Sequence, residues 1–195
     1  MCCSIDLSSV LHYNMSQNQK EGTTMKQNLN AEIIKSIQDF RFPKYHEIPD
    51  VGLFLEQVAK YISSFLEPLG DITVTGSMIS NYVKKGLVDN PVKKQYYRDQ
   101  IAYLIFISMA KSVLSLEDIQ LFINIQKKTY DSKTAYEYFC REFEKVLLSQ
   151  SGMSETLAPL EEGAPDEKVM LRNTSITLAH KIYLDKYFAK LHEKN

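Results

Sequence analysis

The stretch that decides the fold runs from Ser77 to Ile119 and reads SMISNYVKKGLVDNPVKKQYYRDQIAYLIFISMAKSVLSLEDI. Its first part has apolar residues at helical spacing and ends at Gly86, the usual residue for the left-handed turn that closes a helix. A basic segment with two tyrosines follows, and then a segment that is apolar nearly all round. This order predicts a short helix, a basic turn, a buried helix and a further amphipathic helix.

The short helix has an inner and an outer side. The apolar side chains should face the core: Met78, Ile79, Tyr82 and Val83. The others are small, polar or basic and should point outward: Ser77, Ser80, Asn81, Lys84 and Lys85. A short helix with such a free side is what entry into the DNA major groove requires, and an ordinary surface helix is the alternative interpretation.

The next segment combines turn residues with positive charge. Val88 to Pro91 has turn chemistry, and Val92 to Arg98 can form a short β-ribbon that leads back to the core. The cations that cluster here are Lys84, Lys85, Lys93, Lys94 and Arg98. Lysine and arginine in such a cluster favour phosphate, and Tyr96 or Tyr97 can donate a phenolic hydroxyl to it. A solvated surface with a structural tyrosine is the alternative.

Two longer helices should form the core beside this unit. The helix from Ile101 to Val113 is apolar on most sides, and Ser115 is placed to cap the helix that follows it. Upstream, Asp50 is a plausible N-cap for a helix that ends before Pro68. Its inward residues are predicted to be Val51, Phe54, Leu55, Val58, Ile62, Phe65 and Leu66.

The remaining chain divides by composition. Residues 1–30 are polar without a period and predict a flexible N-terminal arm, and residues 31–148 form the predicted helical domain. Asp131 or Ser132 should cap a helix with an apolar stripe, and 149–166 reads as a linker. The C-terminal segment 167–195 predicts an amphipathic helix with the stripe Ile176, Tyr183, Leu184, Tyr187, Phe188 and Leu191. This stripe can pack on its own domain or pair with a second copy.

Composition limits the functional classes. The chain has 195 residues, 44% of them hydrophobic, and a formal net charge of −1, so any nucleic-acid affinity must come from a local patch. Its 3 Cys and 4 His show no zinc spacing and no disulfide framework, which favours a cytoplasmic protein. No signal peptide, membrane span, nucleophile motif or phosphate-binding glycine loop is evident. The expectation is a non-enzyme without a cofactor or metal.

Two sets of residues resemble a known family. The MerR-type winged-helix pattern is resembled by Tyr82, Lys84, Gly86-Leu87, Pro91, Tyr97, Ile101, Leu104, Ile107 and Leu114 to Ile119. More closely, Ile48-Pro49-Asp50, Gly52-Leu53 and Met78 to Lys84 look like the bacterial domain of unknown function family numbered 1836, over about Phe40 to Phe143. The chain differs from the MerR pattern at Ser80 and Gln95, where that family has arginine, and at Asn81, where it has an aromatic residue.

The resemblance implies a mainly α-helical fold with a short β wing, a MerR-like winged helix-turn-helix core and additional C-terminal helices. It also implies a transcriptional regulator that binds double-stranded DNA, with a possible homodimer through the C-terminal helix. We expect Ser77, Asn81 and Lys84 to face base edges. The residues expected on phosphate are Lys85, Lys93, Lys94, Tyr97 and Arg98. The alternative is a non-enzymatic protein-interaction module or dimerisation scaffold on the same fold.

Overall fold

The computed structural model describes residues 29–150 and 158–193, and in this part the chain forms seven helices and one two-stranded sheet. The helices are α1 (29–37), α2 (Leu55–Leu66), α3 (Gly76–Lys84), α4 (Arg98–Ala110), α5 (Leu116–Thr129), α6 (Ser132–Gln150) and α7 (Asp166–Glu193). The strands are β1 (Leu53–Phe54) and β2 (Gln95–Tyr96), and 3-10 turns lie at Tyr45–Glu47 and Glu67–Leu69. The predicted mainly α-helical fold with a short β wing is confirmed.

The described residues cover only part of the predicted arm and linker. Of the expected arm, residues 1–28 lie outside the described residues, whereas Leu29 and Asn30 already belong to α1. Within the expected linker 149–166, residues 158–165 are not helical and 151–157 lie outside the described residues, but Ser149 and Gln150 still belong to α6 and Asp166 begins α7. Among the described residues, no helix has the length and apolar character needed to cross a bilayer.

Helix α4 is the centre of the fold. Leu104, Ile105 and Ile107 are each fully buried, as predicted for a helix that is apolar on most sides. The helix packs mainly against α6 and also against α7. Its first turn is closed by Gln100, whose Oε1 accepts the backbone N–H of Tyr97 at 3.0 Å. The wing residues that precede α4 are therefore attached directly to the buried core.

An aromatic cluster joins the N-terminal segment to α6. The ring of Phe42 lies 5.4 Å from that of Phe139 and 5.6 Å from that of Phe143, and it also contacts Phe65 at the end of α2. Both α6 rings are buried, which confirms the predicted stripe of that helix. Such aromatic contacts contribute beyond the area they bury, and they bring α1, α2 and α6 into one core.

Helices α6 and α7 form a long hairpin with a buried ion pair. Glu142 is 2% exposed, and its Oε2 lies 2.7 Å from Nη2 of Arg172 on α7. Removing one partner of a buried pair leaves an uncompensated charge, so this pair constrains how the two helices pack. Cys140 on the same helix is packed rather than reactive, because burial raises the pKa of its thiol.

The predicted start of α2 was wrong. The sequence indicated a helix from Val51 with Val51 and Phe54 facing inward, but α2 begins at Leu55. Val51 is 83% exposed and Phe54 is 53% exposed. The cause is Gly52, whose φ of 77° turns the backbone out of the helical region, so that Leu53 and Phe54 extend into β1.

The predicted ribbon exists, but its partner strand comes from elsewhere in the chain. Leu53 pairs with Tyr96 and Phe54 with Gln95 in antiparallel register. Val92 and Gln95 form a further bridge across a tight turn. We call β1 together with residues 92–96 the wing.

Three helices begin at a side-chain cap, and two of these caps, Ser115 and Asp131, were predicted from the sequence. Thr75 Oγ1 accepts the N–H of Met78 at 3.3 Å, and Ser115 Oγ accepts the N–H of Asp118 at 3.1 Å. Asp131 caps α6, because its Oδ1 accepts the N–H of Thr134 at 2.7 Å. These caps fix where α3, α5 and α6 begin.

Candidate nucleic-acid interface

Helix α3 is closed at its C-terminus by a complete Schellman arrangement. The N–H of Leu87 donates to the carbonyl of Tyr82 at 3.0 Å, and the N–H of Gly86 donates to that of Val83 at 2.9 Å. Gly86 has a φ of 74°, which only glycine adopts without strain. The helix therefore ends at a fixed point, and Leu87 returns to the core.

The two sides of α3 differ as the sequence predicted. Ile79 is fully buried and Tyr82 is 3% exposed, whereas the opposite side is open to solvent. The exposed side chains on that side are Ser77, Ser80, Asn81 and Lys84. The result is a short rigid helix with a continuous polar surface.

The tip of the wing is a strained lysine turn. Lys93 and Lys94 have φ values of 51° and 67°, the left-handed region in which residues other than glycine, asparagine and aspartate are uncommon. The Val92 and Gln95 backbones exchange two hydrogen bonds of 3.0 and 2.9 Å around them. Two positive φ values in a two-residue loop define a type I′ hairpin, which usually contains Asn-Gly. Here that turn carries two ammonium groups instead.

The wing and α3 are linked through the first turn of α2. A Cβ placed on Gly76, at the start of α3, would lie 2.2 Å from Glu56 Oε1 and 3.2 Å from Leu55 Cδ2. Leu55 directly follows β1, so this close approach brings the N-terminus of α3 against the base of the wing. The exposed face of α3 and the lysine turn are thus parts of one connected unit.

Four of the predicted site residues lack a charged partner within the described structure. Lys84, Lys93 and Lys94 are exposed and form no ion pair with any described residue. Tyr97 is half-buried, and its backbone N–H is used by the α4 cap, whereas its hydroxyl has no partner among the described residues. These groups can therefore contact a ligand without first breaking a bond to another described residue.

Two acids in the basic segment are directed to other partners. Asp99 accepts hydrogen bonds from the hydroxyl groups of Tyr45 and Ser132, and Asp89 lies 3.9 Å from Lys127 on α5. Neither acid neutralises the wing lysines. The fold engages both acids with other elements, namely the 3-10 turn that contains Tyr45, α6 and α5.

Lys85 and Arg98 are already engaged. Lys85 Nζ lies 3.0 Å from Glu117 Oε1, an exposed pair of the kind that contributes little to stability and opens easily. Arg98 is used more extensively: its Nε donates to the carbonyl of Ile48 at 2.9 Å, and its Nη1 lies 3.5 Å from Asp50 Oδ2. The Arg98 guanidinium therefore holds the segment before β1 in place.

Sequence reasoning missed an apolar surface on the wing. Phe54 and Val92 both pair with Gln95, from opposite sides, so these three side chains lie on the same face of the ribbon. Phe54 is 53% exposed and Val92 is 57% exposed. Gly52 was the available signal, because a glycine at the supposed start of a helix indicates a break in it.

The segment that contains the wing and α3 defines a small helical domain with a two-stranded sheet. Residues 43–139 match the family model described as Domain of unknown function (DUF1836). The match supports the resemblance of the motifs in this segment to that family. No curated protein and no solved structure matches the chain.

Proposed function

We propose that the protein binds double-stranded DNA and regulates transcription through α3 and the wing. The observation that supports this most directly is the lysine turn: a strained backbone carries Lys93 and Lys94 into solvent, and the base of the wing is attached through the start of α2 to the short polar helix α3. Strained conformations of this kind persist where function requires them, and phosphate is the ligand that adjacent lysines attract best.

In the proposed complex α3 enters the major groove, as in MerR-like winged helices. Ser77, Asn81 and Lys84 lie on its exposed side and are the groups that would meet base edges. Lys93, Lys94 and the Tyr97 hydroxyl would contact phosphate next to the groove. Lys85 can join them once its exposed pair with Glu117 opens. Arg98 acts indirectly by holding the base of the wing.

The test is the fluorescence anisotropy of labelled, pooled genomic DNA fragments titrated with protein at low salt. Lys93→Ala combined with Lys94→Ala should weaken binding to all fragments alike. It should also reduce the slope of log affinity against log salt by about 1.8, because each lost phosphate contact contributes roughly 0.9. Wild-type protein that produces no anisotropy change would rule out the proposal.

The matched control is Lys35→Ala combined with Lys145→Ala, which removes the same charge. Lys35 lies on α1. Lys145 lies on α6, where its Nζ is 3.8 Å from Oε1 of Glu142, and the pair of Glu142 with Arg172 remains when Lys145 is replaced. The control should bind DNA like the wild type. If both double variants lose DNA affinity equally, the DNA responds to the net charge of the protein and does not contact the wing.

A dimer is the second proposal, and an exposed pair on α7 supports it. Leu184 is 49% exposed and Phe188 is 54% exposed, one helical turn apart on the same side. We propose that two copies pair through this surface, because readers of two-fold DNA sites present two helices at once. In light scattering after size exclusion, Leu184→Asp with Phe188→Asp should convert a dimer into a monomer. A wild-type monomer at micromolar concentration refutes the dimer.

A further inference from the structure

A cavity of about 350 Å³ lies between α4, α5, the first half of α6 and the first turn of α7. Aromatic side chains form a large part of its wall, among them Tyr103, Phe106, Phe122 and Phe139. Ligand pockets usually range from about 300 to 1,000 Å³, so this one suits a small molecule rather than a peptide. It lies on different elements from the wing.

The wall of the cavity is held in place by its own contacts. The ring of Phe106 meets those of Phe122 and Phe139 edge to face, at 5.3 and 5.2 Å. The hydroxyl of Tyr103 donates to Gln126 Oε1 at 3.0 Å, and Gln126 Nε2 donates to the carbonyl of Tyr130 at 2.6 Å. These contacts fix the rings against one another, and the hydrogen bond to Gln126 leaves a lone pair of the Tyr103 oxygen able to accept a hydrogen bond.

Two cations at the rim of the cavity contact the same aromatic ring. Arg141 Cζ lies 5.2 Å from the centre of the Tyr138 ring, and Lys168 Nζ lies 5.8 Å from the same centre. Neither forms an ion pair with a described residue, in contrast to Arg172, which lies 2.7 Å from Glu142. Two unpaired cations over one ring at a pocket rim are suited to hold an anionic group.

Two acids, Glu137 and Glu167, also line the cavity, and neither forms an ion pair with the two cations. Glu167 accepts a hydrogen bond from the hydroxyl of Thr129, which lowers the pKa of its carboxyl and keeps it charged and engaged. Glu137 is exposed to solvent. Neither carboxylate pairs with Arg141 or Lys168, so both cations can bind an external anion.

We propose that this cavity binds a small aromatic carboxylate. The ring of the ligand lies among Phe106, Phe122 and Phe139, and its carboxylate is bound by Arg141 and Lys168. The Tyr103 oxygen accepts a hydrogen bond from a polar substituent on the ring. Offset and edge-to-face contacts with fixed rings favour a planar aromatic ligand over a flexible aliphatic chain. The proposal does not depend on DNA binding.

Isothermal titration of the whole protein with 2-naphthoate, in the absence of DNA, tests the charge and the ring together. The expected result is saturable binding to one site per chain, at least about tenfold tighter than that of the uncharged 2-naphthamide, since a bond to a charged group contributes about that factor. Absence of binding, or equal binding of the two probes, overturns the proposal.

Charge variants locate the anion contact. Arg141→Gln with Lys168→Gln should weaken 2-naphthoate binding about tenfold and leave 2-naphthamide unchanged. Lys93→Gln with Lys94→Gln removes the same charge on the wing and should leave the affinity for 2-naphthoate unchanged. If the wing variant weakens binding as much as the rim variant, the probe responds to net charge and the proposed site is wrong.

A filling variant locates the ring. Ala135 lines the cavity, and Ala135→Phe should abolish 2-naphthoate binding, whereas Ala189→Phe on an exposed part of α7 should have no effect. Circular dichroism melting shows whether the filled protein is folded. A folded Ala135→Phe protein that binds as tightly as the wild type contradicts the proposal. If that variant does not fold, the rim variant decides the question alone.

Discussion

The wing with α3 and the α6–α7 hairpin use charged side chains in opposite ways. In the hairpin, Glu142 is buried and lies 2.7 Å from Arg172, so both charges serve the packing of two helices. On the wing and α3, Lys84, Lys93 and Lys94 extend into solvent without an ion pair among the described residues. The difference indicates which charges stabilise the fold and which are free to contact a partner.

The backbones of the two regions also differ, since the hairpin consists of long regular helices and the wing of two short strands and a strained turn. Helices α6 and α7 have 19 and 28 residues, whereas each strand of the wing has 2 residues and its turn contains two lysines at positive φ. Isolated elements as short as those of the wing are marginal, so the wing is maintained by its attachment to α2 and α4. Folding alone does not require lysines at positive φ in this turn, so the strain is consistent with a functional role.

The largest effect is expected in the aromatic core behind the hairpin. Phe143 is fully buried among Phe40, Phe42 and Phe139, so Phe143→Ala should lower the free energy of unfolding by about 3–5 kcal/mol. Urea denaturation followed by circular dichroism measures this. Phe188→Ala, where the ring is 54% exposed, should change it far less. Similar losses at both positions would mean that the hairpin core is not packed as described.

An intermediate effect is expected where the wing joins the core. Arg98→Ala removes bonds to the carbonyls of Ile48 and His46 and should cost about 2 kcal/mol of unfolding free energy. Lys84→Ala, at an exposed cation without such bonds, should leave the stability nearly unchanged. For DNA affinity the order is reversed: Lys84→Ala should weaken DNA binding, because Lys84 contacts DNA in the proposed complex. An Arg98→Ala protein of wild-type stability would remove the distinction between structural and free cations.

The smallest effect should have the opposite sign. Lys93→Asn with Lys94→Gly supplies the residues that a type I′ turn prefers and should stabilise the protein by about 1 kcal/mol, since left-handed backbone is costly for lysine. The same change should weaken DNA binding, because it removes two ammonium groups. Thermal unfolding and anisotropy measure the two outcomes on one sample. A destabilised variant would show that the lysine turn is not strained.

Most helices could be predicted because their information is local. The 3.6-residue spacing of apolar residues located α3, α4 and α5, and the caps at Thr75, Ser115 and Asp131 lie next to the helices that they begin. The start of α2 could not be found in this way. Val51 and Phe54 have helical spacing, but Leu53 and Phe54 instead pair with residues more than forty positions away.

The candidate site was predictable in composition but not in arrangement. The lysines of the wing were recognised from their clustering, because positive charge is visible in any sequence. That Arg98 binds backbone carbonyls, or that Asp99 turns toward Tyr45 and Ser132, depends on segments brought together only by folding. The cavity between α4, α5, α6 and α7 was not predicted, since four separate helices create it.

The sequence by itself determined the helices, their caps and the concentration of lysine around a short polar helix, because these follow from the order of neighbouring residues. Only the tertiary structure decided which cations are free. Arg98 and Arg172 are held by contacts distant in sequence, whereas Lys93 and Lys94 lie at a tip where no described element reaches them. The physical reason is that a charge is free or paired according to what folding places within a few ångströms of it.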